Sequence, residues 1–302
     1  MAIFLTGASG YLGGAILREL HARDHAVIAH ARTAESAAAL SGTGATTVAV
    51  GDLGDVGWLG GQLADVDGMV HAASPNDATS AALDSAVLTA ALAAFAGSGR
   101  PYVHTGGTWI HGSGSAITEG SPVTPPLIVA WRPAVVDGVR AAADVGVRSC
   151  VIAPANLYGH ARGLPAVILA GPTTGGESPA LLFPGGPQHF ANAHVDDVAA
   201  LYRLAVESAR PGSYYLAANA DAPPMAEIAA AASRLRGLDG RAVGEAEQAS
   251  RDRLGPLADA LLLDARVDSA RARHELGWSP SGPSLLEELT TGSYAHTTRV
   301  SR

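Results

Sequence analysis

An apolar run, Ala2-Ile3-Phe4-Leu5, passes straight into Thr6-Gly7-Ala8-Ser9-Gly10-Tyr11-Leu12-Gly13, and apolar residues then recur at Leu12, Ile16, Leu17 and Leu20. The first pattern is a buried strand and the last has helical spacing. Glycines between a strand and a helix constrain this chain more than any other feature. Gly7 permits a tight turn, Gly10 lets a pyrophosphate approach the backbone, and Gly13 lets helix and strand pack closely. A phosphate then rests on the free N–H groups and positive dipole end of the helix. The loop therefore predicts a dinucleotide site with Gly7, Ser9, Gly10, Tyr11, Leu12 and Gly13 at its pyrophosphate.

The alternation continues. Short apolar runs at Ala26–Ala29, Thr46–Val50, Gly68–His71, Pro101–His104 and Ser149–Ile152 are separated mostly by helical stretches. Such alternation implies βαβ units and a parallel sheet with right-handed crossovers. The expected fold is α/β: a doubly wound Rossmann sheet with a smaller, discontinuous C-terminal part. Residues 1–153 with about 190–218 are expected to bind the nucleotide, and about 154–189 with 219–302 to bind substrate or act as a lid. Gly171–Gly186, rich in Gly and Pro, reads as a long loop of the kind that covers an active face. A strand at Ser213–Ala217 is expected to return to the sheet, with helices at Met225–Arg236 and Pro256–Leu263 beyond it.

Composition narrows the partners. The 302 residues carry a net charge of −8 with no basic patch to offset it, which argues against nucleic acid. The single cysteine, Cys150, rules out an internal disulfide, suits a reducing cytoplasm and reads as a small buried residue. Met1–Leu5 is too short and uncharged for a signal peptide. The most apolar stretch, Ala81–Ala96, contains Asp84 and Ser85 and reads as a packed helix, not a membrane span. The expectation is a cytoplasmic monomer or homodimer acting on a small molecule.

The second strand ends Ala31-Arg32-Thr33. An acid there would bond the ribose 2′-hydroxyl of NAD, whereas a 2′-phosphate needs room and a cation. Arg32 offers a planar fork to that phosphate, so NADPH/NADP+ is the expected cofactor, with Arg32 and Thr33 at its ribose. Asp52 and Leu53, after the third strand, fit an adenine clamp.

Taken in order, Thr6–Gly13, Gly51-Asp52-Leu53, His71-Ala72-Ala73-Ser74, His104–Gly112, Pro154–Gly159, His194–Val198 and Glu275–Pro280 resemble the extended and atypical short-chain dehydrogenase/reductases of the NAD-dependent epimerase/dehydratase-like group. The likeness spans nearly the whole chain. It implies that Ala72, Ala73 and Ser74 lie along the cofactor and that Thr105 sits near the nicotinamide ribose. It also implies that Pro154–Leu157, Asn156 included, pass the nicotinamide. His194–Asp197 becomes a structural turn feeding a helix, and no metal site is expected.

The catalytic Ser-Tyr-Lys set of that family does not carry over. Its Ser/Thr position falls on Gly107, with Thr108 next. Aligning Asp137 with the family's helix acid puts Val129 and Pro133 where Tyr and Lys belong; shifting to Trp131 puts Val135 four residues on. No tyrosine lies between Tyr102 and Tyr158, and the chain has no lysine at all. Replacement of Lys by Arg in an Ala-, Gly- and Arg-rich chain explains the missing lysine, but not the loss of a cation at that position. Tyr158-x-x-x-Arg162 has the spacing on the wrong element.

Hydride arriving at a ketone makes an alkoxide that needs a proton or strong stabilisation. The candidates left are Thr105, Thr108, His111, Tyr158, or a phenol on the substrate itself. This pattern resembles triad-less ketoreductases acting on angucyclinones. The expectation is an NADPH-dependent ketoreductase of an aromatic polyketide in antibiotic biosynthesis, its flat ketone bordered by Gly107, Thr108, Trp109, Trp131, Asn156 and Tyr158. A non-catalytic NADP-binding redox sensor and a nucleotide-sugar epimerase or dehydratase are the alternatives. The missing tyrosinate weakens the last most.

Overall fold

The computed structural model describes residues 1–300. Residues 301 and 302, the end of the expected C-terminal part, lie outside the described residues. Seven strands, β1 (Ala2–Thr6), β2 (Ala26–Ala31), β3 (Thr47–Val50), β4 (Gly68–His71), β5 (Pro101–Thr105), β6 (Arg148–Pro154) and β7 (Ser213–Ala217), form one sheet in the order 3-2-1-4-5-6-7. Every pairing in it is parallel. The chain reverses its direction of travel across the sheet between β1 and β4, so a crevice opens there at the carboxyl ends of the strands.

Both faces are covered, which is why the strands read as continuous apolar runs. Side chains alternate between the faces. Ile3, Leu5, Val103 and Ile152 meet α1 (Tyr11–His21) and α6 (Val195–Ser208). Phe4, Met69, Tyr102 and Val151 meet α3 (Val56–Leu63), α4 (Ser80–Phe95) and α5 (Arg132–Ala141). A short helix, α2 (Ala34–Ala38), follows β2. Cys150 is fully buried in β6, as expected, and burial pushes its thiol up to about 12.

A third apolar cluster holds the C-terminal part together. Tyr158, Ile168, Leu181, Phe183 and Phe190 pack there with Met225 and Ile228 of α7 (Met225–Leu235) and with Leu285 and Leu289. Two motifs that are weak apart join it to the sheet. Trp278 donates its indole N–H to the Asp197 carbonyl at 2.7 Å, and the Asp197 carboxylate accepts the N–H groups of Ser281 and Gly282 at 2.9 and 3.0 Å.

The Gly171–Gly186 segment is not one long loop. Leu181–Pro184 is a strand running parallel to Ala242–Glu245, and the Arg236 guanidinium ties down the carbonyls of Leu169 and Gly171. Leu181 and Phe183 point into the third cluster; the surrounding Gly and Pro mask this short period of two. Among the described residues, no helix is long and apolar enough to cross a membrane, and no His, Cys, Asp and Glu group could hold a metal ion.

Candidate cofactor cleft and active site

The glycine loop is built by steric necessity. Gly7 has φ +75°, and a Cβ there would lie 2.5 Å from the Ala72 carbonyl oxygen. A Cβ on Gly13 would lie 2.0 Å from the Gly7 carbonyl oxygen. Gly10 donates its N–H to that same oxygen at 2.8 Å and precedes α1 without any side-chain cap. The first N–H groups of α1 therefore have no capping acceptor, and Ser9 and Gly10 are exposed. This cradle fits a dinucleotide pyrophosphate. The Tyr11 hydroxyl turns away and donates to the Gly159 carbonyl at 2.8 Å, with the Arg162 guanidinium 5.0 Å above its ring. It ties the loop to the C-terminal part, and Arg162 serves Tyr11, not Tyr158.

Arg32 is exposed at the end of β2. Thr33 is occupied as the N-cap of α2, its Oγ1 accepting the Ser36 N–H at 3.2 Å. The ends of β2 and β3 are joined by Gly51 N–H to the Ala31 carbonyl at 3.1 Å and by His30 Nε2–H to the Gly51 carbonyl at 2.9 Å. Asp52 is exposed beyond them, one carboxylate oxygen accepting the Gly54 N–H at 2.8 Å. Leu53 points into the core, so only its backbone can serve an adenine.

A buried polar chain lies under the crevice. The Thr6 Oγ1 accepts the N–H groups of Ala72 and Ala73 at 3.1 and 3.2 Å, so its proton points to His71 Nδ1 at 2.8 Å. His71 Nε2–H then donates to Asp84 at 3.0 Å. On the other side, Tyr102 OH donates to His104 Nδ1 at 2.9 Å, and His104 Nε2 faces the second Asp84 oxygen at 3.4 Å. Burial alone would raise the Asp84 carboxyl, but the bonds from His104 and His71 outweigh it and hold it well below the usual carboxylate range. Burial lowers His104 despite that carboxylate. The chain fixes the Ala72 and Ala73 backbone against the glycine loop. Ser74 follows, half-buried beside Ser80.

The other end of the cleft lies beyond β5 and β6. Thr105 Oγ1 donates to the His71 carbonyl at 2.7 Å and accepts the hydroxyl of Tyr202, from α6, at 2.7 Å. A Cβ at Gly107 would meet nothing within 4 Å. Thr108 is buried in the short 3-10 turn that follows. Trp109 donates its indole N–H to Asn156 Oδ1 at 3.0 Å, and Asn156 Nδ2 donates to the Ala191 carbonyl at 2.8 Å. Pro154 and Asn156 thus stand beside the β5 turn. Arg132, at the start of α5, reaches the Thr105 carbonyl at 3.2 Å and lies 4.6 Å over the Trp131 ring.

Three comparisons bear on this cleft. Residues 7–99 match a family model described as NAD(P)H-binding. The chain carries an NAD(P)-binding Rossmann domain. An uncharacterized protein of Schizosaccharomyces pombe is 29% identical, over 97% of this chain and 100% of that one. The dTDP-glucose 4,6-dehydratase of Streptomyces venezuelae, solved as a double mutant with NAD and DAU bound, superposes with a TM-score of 0.78 at 20% identity, covering 99% and 97% of the chains. The UDP-glucose 4-epimerase of Thermotoga maritima, solved with UDP-glucose, superposes at 0.76 with 17% identity, covering 100% and 99%. At these identities the likeness to solved structures is one of fold.

Around the Rossmann domain, the expected site residues divide into two groups. Gly7–Gly13, Ala72 and Ala73 meet at the β1–β4 crevice; Thr105, Gly107, Trp109, Asn156 and Trp131 gather beyond β5. His111 and Tyr158 are engaged elsewhere. Tyr214 OH donates to His111 Nε2 at 2.9 Å, and His111 Nδ1–H donates to the Pro122 carbonyl at 3.1 Å. The Tyr158 hydroxyl is buried between the Pro283 carbonyl at 2.7 Å and Asn219 Nδ2 at 2.6 Å, and burial pushes its pKa upward. Sequence reasoning missed Arg132 and Tyr202. Arg132 stands one position before Pro133, so an alignment asking for Lys at one residue passes over it. Tyr202 lies far along the chain, with no local signal.

Proposed function

We propose that this protein is an NADP(H)-dependent reductase of an aromatic ketone, of the kind found in aromatic polyketides such as angucyclinones, and that it works without a tyrosine acid. The bound nicotinamide cofactor would supply hydride to the carbonyl carbon. Arg32 is the residue that would read the 2′-phosphate, since the strand end offers no acid and Glu35 already belongs to the first turn of α2. Residues about 154–189 and 219–302 would form the substrate part, with the open position at Gly107 and the indoles of Trp109 and Trp131 bordering a flat ring.

The observation that carries reduction over epimerisation is the engagement of the tyrosines. Epimerases and dehydratases need a base to take a hydroxyl proton. Tyr158 is held in the third cluster, and Tyr202 is fully buried with its hydroxyl given to Thr105. A hydroxyaryl ketone carries its own proton donor and needs neither.

The test is the decay of NADPH absorbance with a panel of aromatic hydroxyketones, run in parallel with NADH. Turnover is expected with NADPH and at least about tenfold less with NADH, the ratio one lost charge-assisted phosphate contact produces. Tight NADPH binding with no turnover on any ketone would favour a redox sensor instead.

A further inference from the structure

Arg132 occupies an expensive position. It begins α5, at the helix end where the macrodipole disfavours a cation. Its side chain is half-buried, and that burial pulls its pKa below the ordinary value. Among the described residues its protein hydrogen bond goes to the Thr105 carbonyl alone, and no carboxylate lies within ion-pair distance. Asp84 acts on it only through space and is already held by His71 and His104. A guanidinium has five N–H donors in a rigid fork. A half-buried cation whose other donors the protein leaves open is placed to take up an anion.

We propose that Arg132 is an oxyanion-binding residue, completing its donor set with the charged oxygen that the substrate develops as its carbonyl is reduced. This deepens the ketone-reductase reading and rests on it. Hydride addition breaks the carbonyl π bond and leaves the electron pair on oxygen. The proton of an adjacent phenol or enol moves to that oxygen, and its own oxygen becomes the anion. Arg132 holds that phenolate or enolate until water returns the proton. A guanidinium keeps its proton near neutral pH, so Arg132 supplies charge, not acid. The substrate class is therefore a ketone with an acidic hydroxyl beside it. Arg132 stands one residue before Pro133, and the neighbouring Gly107 leaves open space next to the Thr105 carbonyl that Arg132 grips.

The test uses the full chain loaded with NADP+ and salicylate as the probe, an aromatic oxyanion with a phenol beside its carbonyl carbon. Calorimetry should show saturable salicylate binding to wild type. Arg132→Met and Arg132→Gln should weaken it at least about tenfold, and Arg132→Lys should restore part of the loss. NADP+ affinity should stay within about threefold in all three. Arg132→Gln keeps a donor for the Thr105 carbonyl, so the comparison survives if Arg132→Met does not fold. Salicylate binding that ignores the charge at this position, or no saturable binding to wild type, overturns the proposal. Failure of wild type to bind NADP+ would strike the underlying reading instead.

Discussion

The two ends of the cleft are built by different means. At the β1–α1 end the structure is fixed by backbone: a Cβ on Gly7 or Gly13 would run into carbonyl oxygens at 2.5 and 2.0 Å. At the β5–α5 end a Cβ on Gly107 would meet nothing within 4 Å. The first end has no freedom to vary and keep its ligand. The second end can exchange side chains without disturbing the fold. Absence of a Ser-Tyr-Lys set is therefore not forced by packing at Gly107, and the parallel sheet forms without it.

The largest expected effect tests that contrast directly. Gly13→Ala sets a Cβ against backbone that cannot rotate away, an overpacking cost of roughly 1–3 kcal/mol or more. NADPH affinity, read by fluorescence titration, should fall at least about a hundredfold as the loop is displaced. Gly107→Ser should leave affinity within about threefold and the melting temperature nearly unchanged. Equal effects of the two substitutions would break the comparison.

Next comes the polar chain that supports the backbone-built end. Asp84→Asn removes the carboxylate shared by His71 and His104 and should cost about 3 kcal/mol in urea unfolding. The pH dependence has one sign throughout. The folded Asp84 carboxyl is held below its unfolded value, so its contribution is present above about pH 4 and lost as pH falls through the acid range. The folded His104 is also lowered, so the unfolded chain takes up a proton near pH 6.5 that the folded one refuses, and stability again falls on acidification. Wild-type stability should decline from pH 7.5 to 5; a flat profile would remove the buried network from the account.

The same contrast explains what the sequence disclosed. The glycine loop and the alternation of strands with helices were legible because each depends on local residue type or apolar period; the strand order and the Asp197–Trp278 joint were not, since they bring distant segments together. Gly107, Val129 and Pro133 were legible as absences. Arg132 was not, because its value lies in reaching the Thr105 carbonyl from a different element. The Asp84 network was hidden for the same reason: His71, Asp84 and His104 come from β4, α4 and β5, and only folding joins them. The strand within Gly171–Gly186 was missed because turn residues outnumber the alternating Leu181 and Phe183.

Arg32→Ala sharpens the comparison at the adenosine side. Arg32 is exposed, so its removal should not move the melting temperature. NADPH binding should weaken about tenfold or more and NADH binding less than about twofold, because only NADPH carries a 2′-phosphate for the fork to meet. Equal weakening of both cofactors would take the selector role away from Arg32.

The smallest effect on chemistry is expected at Tyr158. Its hydroxyl joins the Pro283 carbonyl to the Asn219 amide inside the third cluster. Tyr158→Phe takes this donor from the Pro283 carbonyl and leaves Asn219 Nδ2 with Asn192 Oδ1 at 3.3 Å, at a cost of about 1–2 kcal/mol to stability. NADPH-dependent ketone reduction should stay within about twofold of wild type across neutral pH, since burial keeps this phenol protonated and its proton is committed to Pro283. A collapse of turnover without a matching loss of stability would mean that the C-terminal cluster, and not the β5–α5 end, holds the acid. The open position at Gly107 would then have to be read as the mouth of a site whose proton donor comes from the C-terminal cluster.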